Sequence, residues 1–248
     1  IATSVPRGAF TKVTARLKGE VSIPLVTTNR INMPDVAEKI LAEGDADMVS
    51  MARPFLADAD LVLKAAEDRA EEINTCIGCN QACLDHIFAG KLTSCLVNPF
   101  ACHELMYKMT LAESPKKVAV VGAGPAGLAA ATTAAKRGHS VVLFDAAAEI
   151  GGQFNIAKQI PGKEEFYETL RYFKRQLELL NVEVKLNTPV TAQTLNEQGF
   201  DEVLLATGIV PRTPAIEGID HSKVMTYLDV LRDKKPVGAK VAIIGAGG

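Results

Sequence analysis

The chain has 248 residues, 48% hydrophobic and 23% charged, with 27 Lys and Arg against 29 Asp and Glu for a formal net charge of −2. That length allows one large or two ordinary domains with cores of their own, and the balanced, scattered charge leaves no basic field for nucleic acid. Small molecules are the expected partners, and the composition is that of an intracellular, cytoplasmic protein.

The sequence opens on Ile1 without an initiator Met, signal or transit segment, and is read as a piece of something longer. From Ile1 to about Ile73, short apolar strands alternate with helices. A strand, IPLVTT from Ile23, is followed by a helix that Pro34 opens, that carries Asp35 and Glu38 near the positive end of its dipole, and that Gly44 ends. A second strand, DMVSMA from Asp47, leads to a helix expected from about Asp58 to Glu72. This β-α-β-α series is too short to close a sheet by itself.

Residues 74–115 contain four of the five cysteines, Cys76, Cys79, Cys83 and Cys95, in the spacing C-x2-C-x3-C-x11-C, with Pro99 shortly after. Four soft thiolates on a compact loop and short helix suit either a tetrahedral zinc or an iron-sulfur cube. Structural zinc sites pair two tight knuckles, whereas here three cysteines crowd together and the fourth arrives alone, so the layout favours a 4Fe-4S cluster. Zinc, and a disulfide pair or inert thiols, remain as alternatives.

From Lys116 a second α/β region begins. KKVAVVGAGPAGLAAATTAAKRGHSVVLFD places G-x-G-x-x-G, at Gly122, Gly124 and Gly127, between a strand and a helix, and Asp145 ends the next strand eighteen residues after Gly127. Glycines there allow a tight turn and close backbone approach to a pyrophosphate at the helix N-terminus, and the carboxylate can accept hydrogen bonds from a ribose. The uncharged run Val118–Ala135 has the length of a membrane span, but its glycines and Pro125 indicate strand, turn and helix instead. Further on, Phe166, Leu170, Phe173, Leu177 and Leu180 recur at helical spacing and form a core-facing stripe. VAVVGAG at Val118 recurs as VAIIGAG at Val241, and two such folds in tandem suggest FAD and a nicotinamide cofactor exchanging hydride. Between the copies lie EIGGQF, from Glu149, and LLATGIVPRTP, whose strand runs into Ala206, Thr207 and Gly208.

The order of barrel end, cysteine run, GAGPAG, EIGGQFNIAKQIPGKEEFYETLRYF, ATGIVPRTP and second GAGG resembles the bacterial NADPH-dependent 2,4-dienoyl-CoA reductases, in the wider group of trimethylamine dehydrogenase and old yellow enzyme. The resemblance implies an α/β chain with the C-terminal part of an FMN-binding TIM barrel at 1–73, a 4Fe-4S segment and linker at 74–115, the first part of a Rossmann-like FAD-binding domain at 116–238, and the start of the NAD(P)H-binding domain at 239–248. Cys76, Cys79, Cys83 and Cys95 would hold the cluster, with Cys102 outside the set as a buried small residue and His86 and His103 as surface or capping groups. Loops after the last two barrel strands commonly bind phosphate, so Arg30 and Arg53, with the backbone of Ala52, would bracket the FMN phosphate. Gly122, Gly124, Gly127, Asp145, Gln153, Thr207 and Gly208 would line FAD. NADPH would reduce FAD, the cluster would pass electrons singly to FMN, and FMN would reduce an acyl-CoA substrate; the catalytic acid would lie upstream of Ile1. A related enoate reductase or amine dehydrogenase is the alternative within enzymes, and a non-catalytic electron-transfer module the alternative outside them.

Overall fold

The structure is a computed structural model describing residues 2–245. It divides into two compact units, Ile1–Gly208 and Ile209–Gly248.

The first unit begins with helix α1 (Thr11–Lys18), strand β1 (Val26–Thr28), helix α2 (Pro34–Ala42) and strand β2 (Met48–Ser50). β1 and β2 pair in parallel with Thr27 opposite Val49, the pairing expected of neighbouring strands in a β/α barrel. Pro34 occupies the first turn of α2, and Gly44 follows the helix with φ +74° while Asp45 N–H bonds the carbonyl of Ile40. Ile31, Ala37, Ile40 and Ala46 form the small core beneath α2.

The single helix expected over about Asp58–Glu72 is instead three pieces: α3 (Arg53–Ala57), α4 (Leu61–Ala66) and a 3-10 turn at Ala70–Glu72. The break falls at Asp58, whose backbone is extended and whose buried carboxylate accepts the N–H groups of Asp60 at 3.1 Å and Asn74 at 2.8 Å. A short helix α5 (Leu84–Phe88) starts directly after Cys83.

Strand β3 (Lys117–Val121), helix α6 (Pro125–Lys136) and strand β4 (Ser140–Phe144) form the glycine-turn unit. They are followed by α7 (Phe154–Ala157), α8 (Phe166–Leu179), β5 (Glu183–Lys185), α9 (Ala192–Glu197) and β6 (Glu202–Leu205). The four strands form one sheet in the order β5-β4-β3-β6, all parallel. Alternate residues face opposite sides, as period two requires: Val118, Val120 and Leu143 pack with Leu128 and Leu177, while Ala119, Val142 and Phe144 pack with Leu195. Within the α8 stripe, Leu177 is buried in this core and Leu170, Phe173 and Leu180 pack against it. Phe166 stacks on Phe154 with ring centroids 4.6 Å apart. No helix among the described residues is long and apolar enough to cross a membrane, and the uncharged run resolves into β3, turn and α6.

The second unit carries helix α10 (Tyr227–Leu231), opened by a capping box in which Thr226 and Asp229 exchange hydrogen bonds. Residues 241–245 of the repeated VAIIGAG form no strand, and Gly247 lies outside the described residues.

Candidate functional site: a glycine turn and a cysteine loop joined by one helix

β4 and β6 flank β3 on opposite sides, so the C-terminal end of β3 is the point where successive connections diverge and a crevice opens. Gly122 sits there with φ +107°, its N–H bonded to the carbonyl of Phe144 at 2.7 Å. A Cβ at Gly122 would overlap the carbonyl of Ala206 at the end of β6, and one at Gly127 would overlap the carbonyl of Gly122. A Cβ at Gly124 would meet nothing within 4 Å. The first and third glycines thus serve internal packing, and the second leaves clear space at the N-terminus of the twelve-residue α6.

Two further elements close on this turn. Asp145 accepts the N–H of Ala123 at 2.6 Å and that of Ala147 at 2.7 Å, leaving lone pairs on both oxygens for other donors. The EIGGQF loop docks through the N–H of Gly151 on the carbonyl of Ala123 at 2.7 Å, and a Cβ at Gly152 would stand 3.1 Å from the Cα of Gly124. Gln153, Thr207 and Gly208 lie exposed beside these segments.

Cys76, Cys79, Cys83 and Cys95 line one pocket together with Arg53, Leu56, Ile77 and Asn80. Burial pushes the thiols of Cys76 and Cys79 up, and that of Cys95 up to about 11. Backbone N–H groups of Gly78, Gln81, Val97 and Asn98 oppose that rise by bonding the sulfurs of Cys76, Cys79 and Cys95. Among the described residues no group of three or more His, Cys, Asp or Glu side chains is spaced to hold a metal ion. Cys102 is not a buried small residue: it is exposed at φ +63°, with its N–H turned to Glu104. His86 bonds the carbonyl of Leu92, and His103 bonds that of Ala101 and stacks on Tyr107.

The cysteine loop is gripped from both sides. On the barrel side, Arg53 donates to Asn80, Asn98 donates to the carbonyl of Leu56 at 2.9 Å, and Asp58 holds Asn74. On the other side, Arg171 of α8 donates to the carbonyl of Ile73 at 2.8 Å and to the Thr75 hydroxyl at 3.0 Å, directly ahead of Cys76. Arg30, the other barrel-end arginine, turns toward the dinucleotide half. It is buried, with its guanidinium bonded at 2.6 Å to Glu165, the residue preceding α8, because left-handed backbone at Asn29 and Arg30 turns the side chain inward. Ala52 caps α3, and Arg53 is its first residue.

Residues 116–248 match the family model of the pyridine nucleotide-disulphide oxidoreductases, and residues 1–72 match the NADH:flavin oxidoreductase / NADH oxidase family. The chain belongs to the pyridine nucleotide-disulphide oxidoreductase family. Its first 72 residues are old yellow enzyme-like. Similar curated proteins include a metal reductase of Desulforamulus reducens, 41% identical across 100% of this chain and 38% of its own length. A cinnamate reductase of Clostridium sporogenes is 38% identical across 97% of this chain and 36% of its own length. A solved 2-naphthoyl-CoA reductase in complex with 2-naphthoyl-CoA superposes with a TM-score of 0.92 at 38% identity, covering 96% of this chain and 36% of that one. The chain thus spans little more than a third of the length of these relatives.

The pyridine nucleotide-disulphide oxidoreductase half fits a bound dinucleotide: Gly124 has clear space about it at the N-terminus of α6, where a pyrophosphate would lie. An Asp145→Ala variant is expected to weaken FAD binding by about 1–3 kcal/mol, through lost ribose hydrogen bonds and an unpaired Ala123 N–H, with FMN binding unchanged. Flavin titration of the apoprotein measures this, and FMN loss with FAD retained would reverse the assignment. The cysteine pocket has the donor chemistry of a sulfur-ligated cluster, with four thiols in its lining. Backbone N–H groups are directed at the sulfurs of Cys76, Cys79 and Cys95, and N–H bonds to sulfur are a recognised influence on cluster potential. Asn32, Asp58, Glu165 and Arg171 escaped the sequence reading. Each is an ordinary polar residue whose partner lies far along the chain, or, for Asp58, on the other side of a broken helix.

Proposed function

We propose that this chain is the relay portion of an oxidoreductase that uses NADPH to reduce a carbon-carbon double bond conjugated to an acyl-CoA thioester, with 2,4-dienoyl-CoA as the substrate class. The observation that carries the reading is the cysteine pocket, which has Arg53 of the barrel end in its wall while its loop is fastened to α8 of the dinucleotide half. The chemistry such groups supply when bound is hydride exchange at FAD and FMN and one-electron transfer at a 4Fe-4S cluster.

The residues have separate duties. Gly122 and Gly127 let β3, β6 and α6 meet, Gly124 admits the pyrophosphate, and Asp145 holds both the turn and the ribose. Gln153, Thr207 and Gly208 present the surface where the flavin would pass. Cys76, Cys79, Cys83 and Cys95 hold the cluster, and Ala52 and Arg53 anchor the FMN phosphate from the barrel side.

Full-length protein purified without oxygen is expected to contain about four irons per chain with matching acid-labile sulfide, and no stoichiometric zinc. Alanine at Cys76, Cys79, Cys83 or Cys95 should abolish the iron signal, whereas Cys102→Ala should keep it. Retained iron in Cys95→Ala would mean a different ligand set. The same preparation should consume NADPH with 2,4-dienoyl-CoA. Turnover of free cinnamate or of a secondary amine, with none of the thioester, would sink the substrate assignment.

A further inference from the structure

The pair formed by Arg30 and Glu165 is among the most enclosed ionic contacts described, with side chains 3% and 7% exposed, and it lies beside the cysteine loop. The two ends of the guanidinium have different neighbours. Nη2 bonds Glu165 at 2.6 Å, while a Cβ at Gly78, between Cys76 and Cys79, would stand 3.1 Å from Nη1. Asn32 closes the third side, donating at 2.9 Å to the carbonyl of Cys76 and at 3.1 Å to Glu165. The positive charge of the pair therefore faces the loop with the negative charge behind it. Successive left-handed residues, Asn29 at φ +76° and Arg30 at φ +56°, accompany this orientation, and such backbone persists only where the surroundings over-determine it.

We propose that the buried Arg30–Glu165 pair tunes the reduction potential of the cluster held by Cys76, Cys79, Cys83 and Cys95, with Arg30 raising the potential and Glu165 offsetting it. The inference rests on the cluster reading above. On reduction the cluster gains one electron and no bond is made or broken, so nearby fixed charges act directly on the equilibrium, and more strongly in a poorly polarisable interior. Arginine stays protonated. Removing Glu165 leaves an uncompensated cation next to the loop, and removing Arg30 leaves an anion one side chain further back.

Opposite signs separate tuning from simple distortion. Full-length protein is titrated anaerobically with dithionite while the reduced cluster is followed by electron paramagnetic resonance, with iron and flavin contents measured for each variant. At the potential that half-reduces the wild type, the reduced-to-oxidised ratio is expected to rise about threefold to tenfold in Glu165→Gln and to fall similarly in Arg30→Gln, tenfold being about 59 mV for a one-electron couple. The double variant should return to within about twofold of wild type, because replacing both members of a buried pair removes both charges. If Arg30→Gln does not fold, Arg7→Gln supplies the test: Arg7 bonds the outer side of Glu165 at 2.6 Å, and its loss should lower the ratio by a smaller factor. Shifts of both single variants in one direction, or the largest shift in the double, would mark mechanical disturbance and overturn the proposal. An intact cluster with an unshifted Glu165→Gln would also overturn it. A wild type without iron or sulfide would fail the cluster reading and this inference together.

Discussion

A Gly127→Ala variant is expected to lose its folded dinucleotide half, while Gly124→Ala folds normally and loses FAD alone. A methyl group at 127 would occupy the space of the Gly122 carbonyl, and Gly122 cannot retreat. Its N–H is bonded to Phe144 and its other side is filled by Ala206. Relief requires lifting α6 from β3, which opens the core around Val120 and Leu128. Overpacking of this kind costs about 3 kcal/mol or more, a large share of a domain's stability. At Gly124 the new methyl meets only open space, so the protein is untouched and the dinucleotide is excluded. Thermal unfolding followed by circular dichroism, with flavin content measured in parallel, distinguishes the two. Equal unfolding temperatures for Gly127→Ala and wild type would remove close packing as the reason for that glycine.

The second large effect is expected from Glu165→Ala. Its carboxylate accepts from Arg7 at 2.6 and 2.9 Å, Arg30 at 2.6 Å and Asn32 at 3.1 Å, joining the barrel end to α8 across more than 130 positions of sequence. Truncation leaves Arg30 buried without its counter-ion, a loss of about 3–5 kcal/mol. Glu168→Ala, which removes a more exposed partner of Arg7 and Arg171, should cost about 1 kcal/mol or less. Burial by itself would raise the pKa of Glu165, but the guanidinium groups of Arg7 and Arg30 outweigh it and hold the carboxyl below its ordinary value. Such a group contributes stability that is fully present above its unfolded pKa and is lost as pH falls through its folded pKa. The gap between wild type and Glu165→Ala should therefore be widest near neutral pH and close in acid. Urea midpoints across that range test both the size and the slope. An unfolding midpoint no lower than that of Glu168→Ala would refute the linking role.

The dinucleotide half was legible because each of its signals is local. The three glycines, Pro125, the strand residues and Asp145 lie within thirty residues, and Gly122, Gly127 and Asp145 are constrained by neighbours in the same unit. After β2, apolar spacing over 58–72 continues through positions where the helical backbone does not. Asp58 leaves the helix to hold Asn74, and Asp68 takes φ +59° after α4. The partner of Arg30 is not legible: Glu165 lies 135 positions away, and nothing near Arg30 in sequence announces it. That acid precedes an amphipathic run, where it reads as an ordinary partner of a helix dipole. For residues 241–245 the pattern promised a strand, but a strand exists only with a ladder partner, and none pairs with this segment among the described residues.

The grip of α8 on the cysteine loop limits how such proteins can be recombined. Arg30 and Asn32 on one side, and Glu165 and Arg171 on the other, belong to segments matched by two separate family models, so a crossover placed in the linker between them looks harmless. It would nevertheless draw the two halves of one buried contact from different parents. Chimaeras should tolerate such a junction only when both parents carry the same four residues, and the border of the inheritable unit lies beyond Arg171 rather than at the visible gap between the domains.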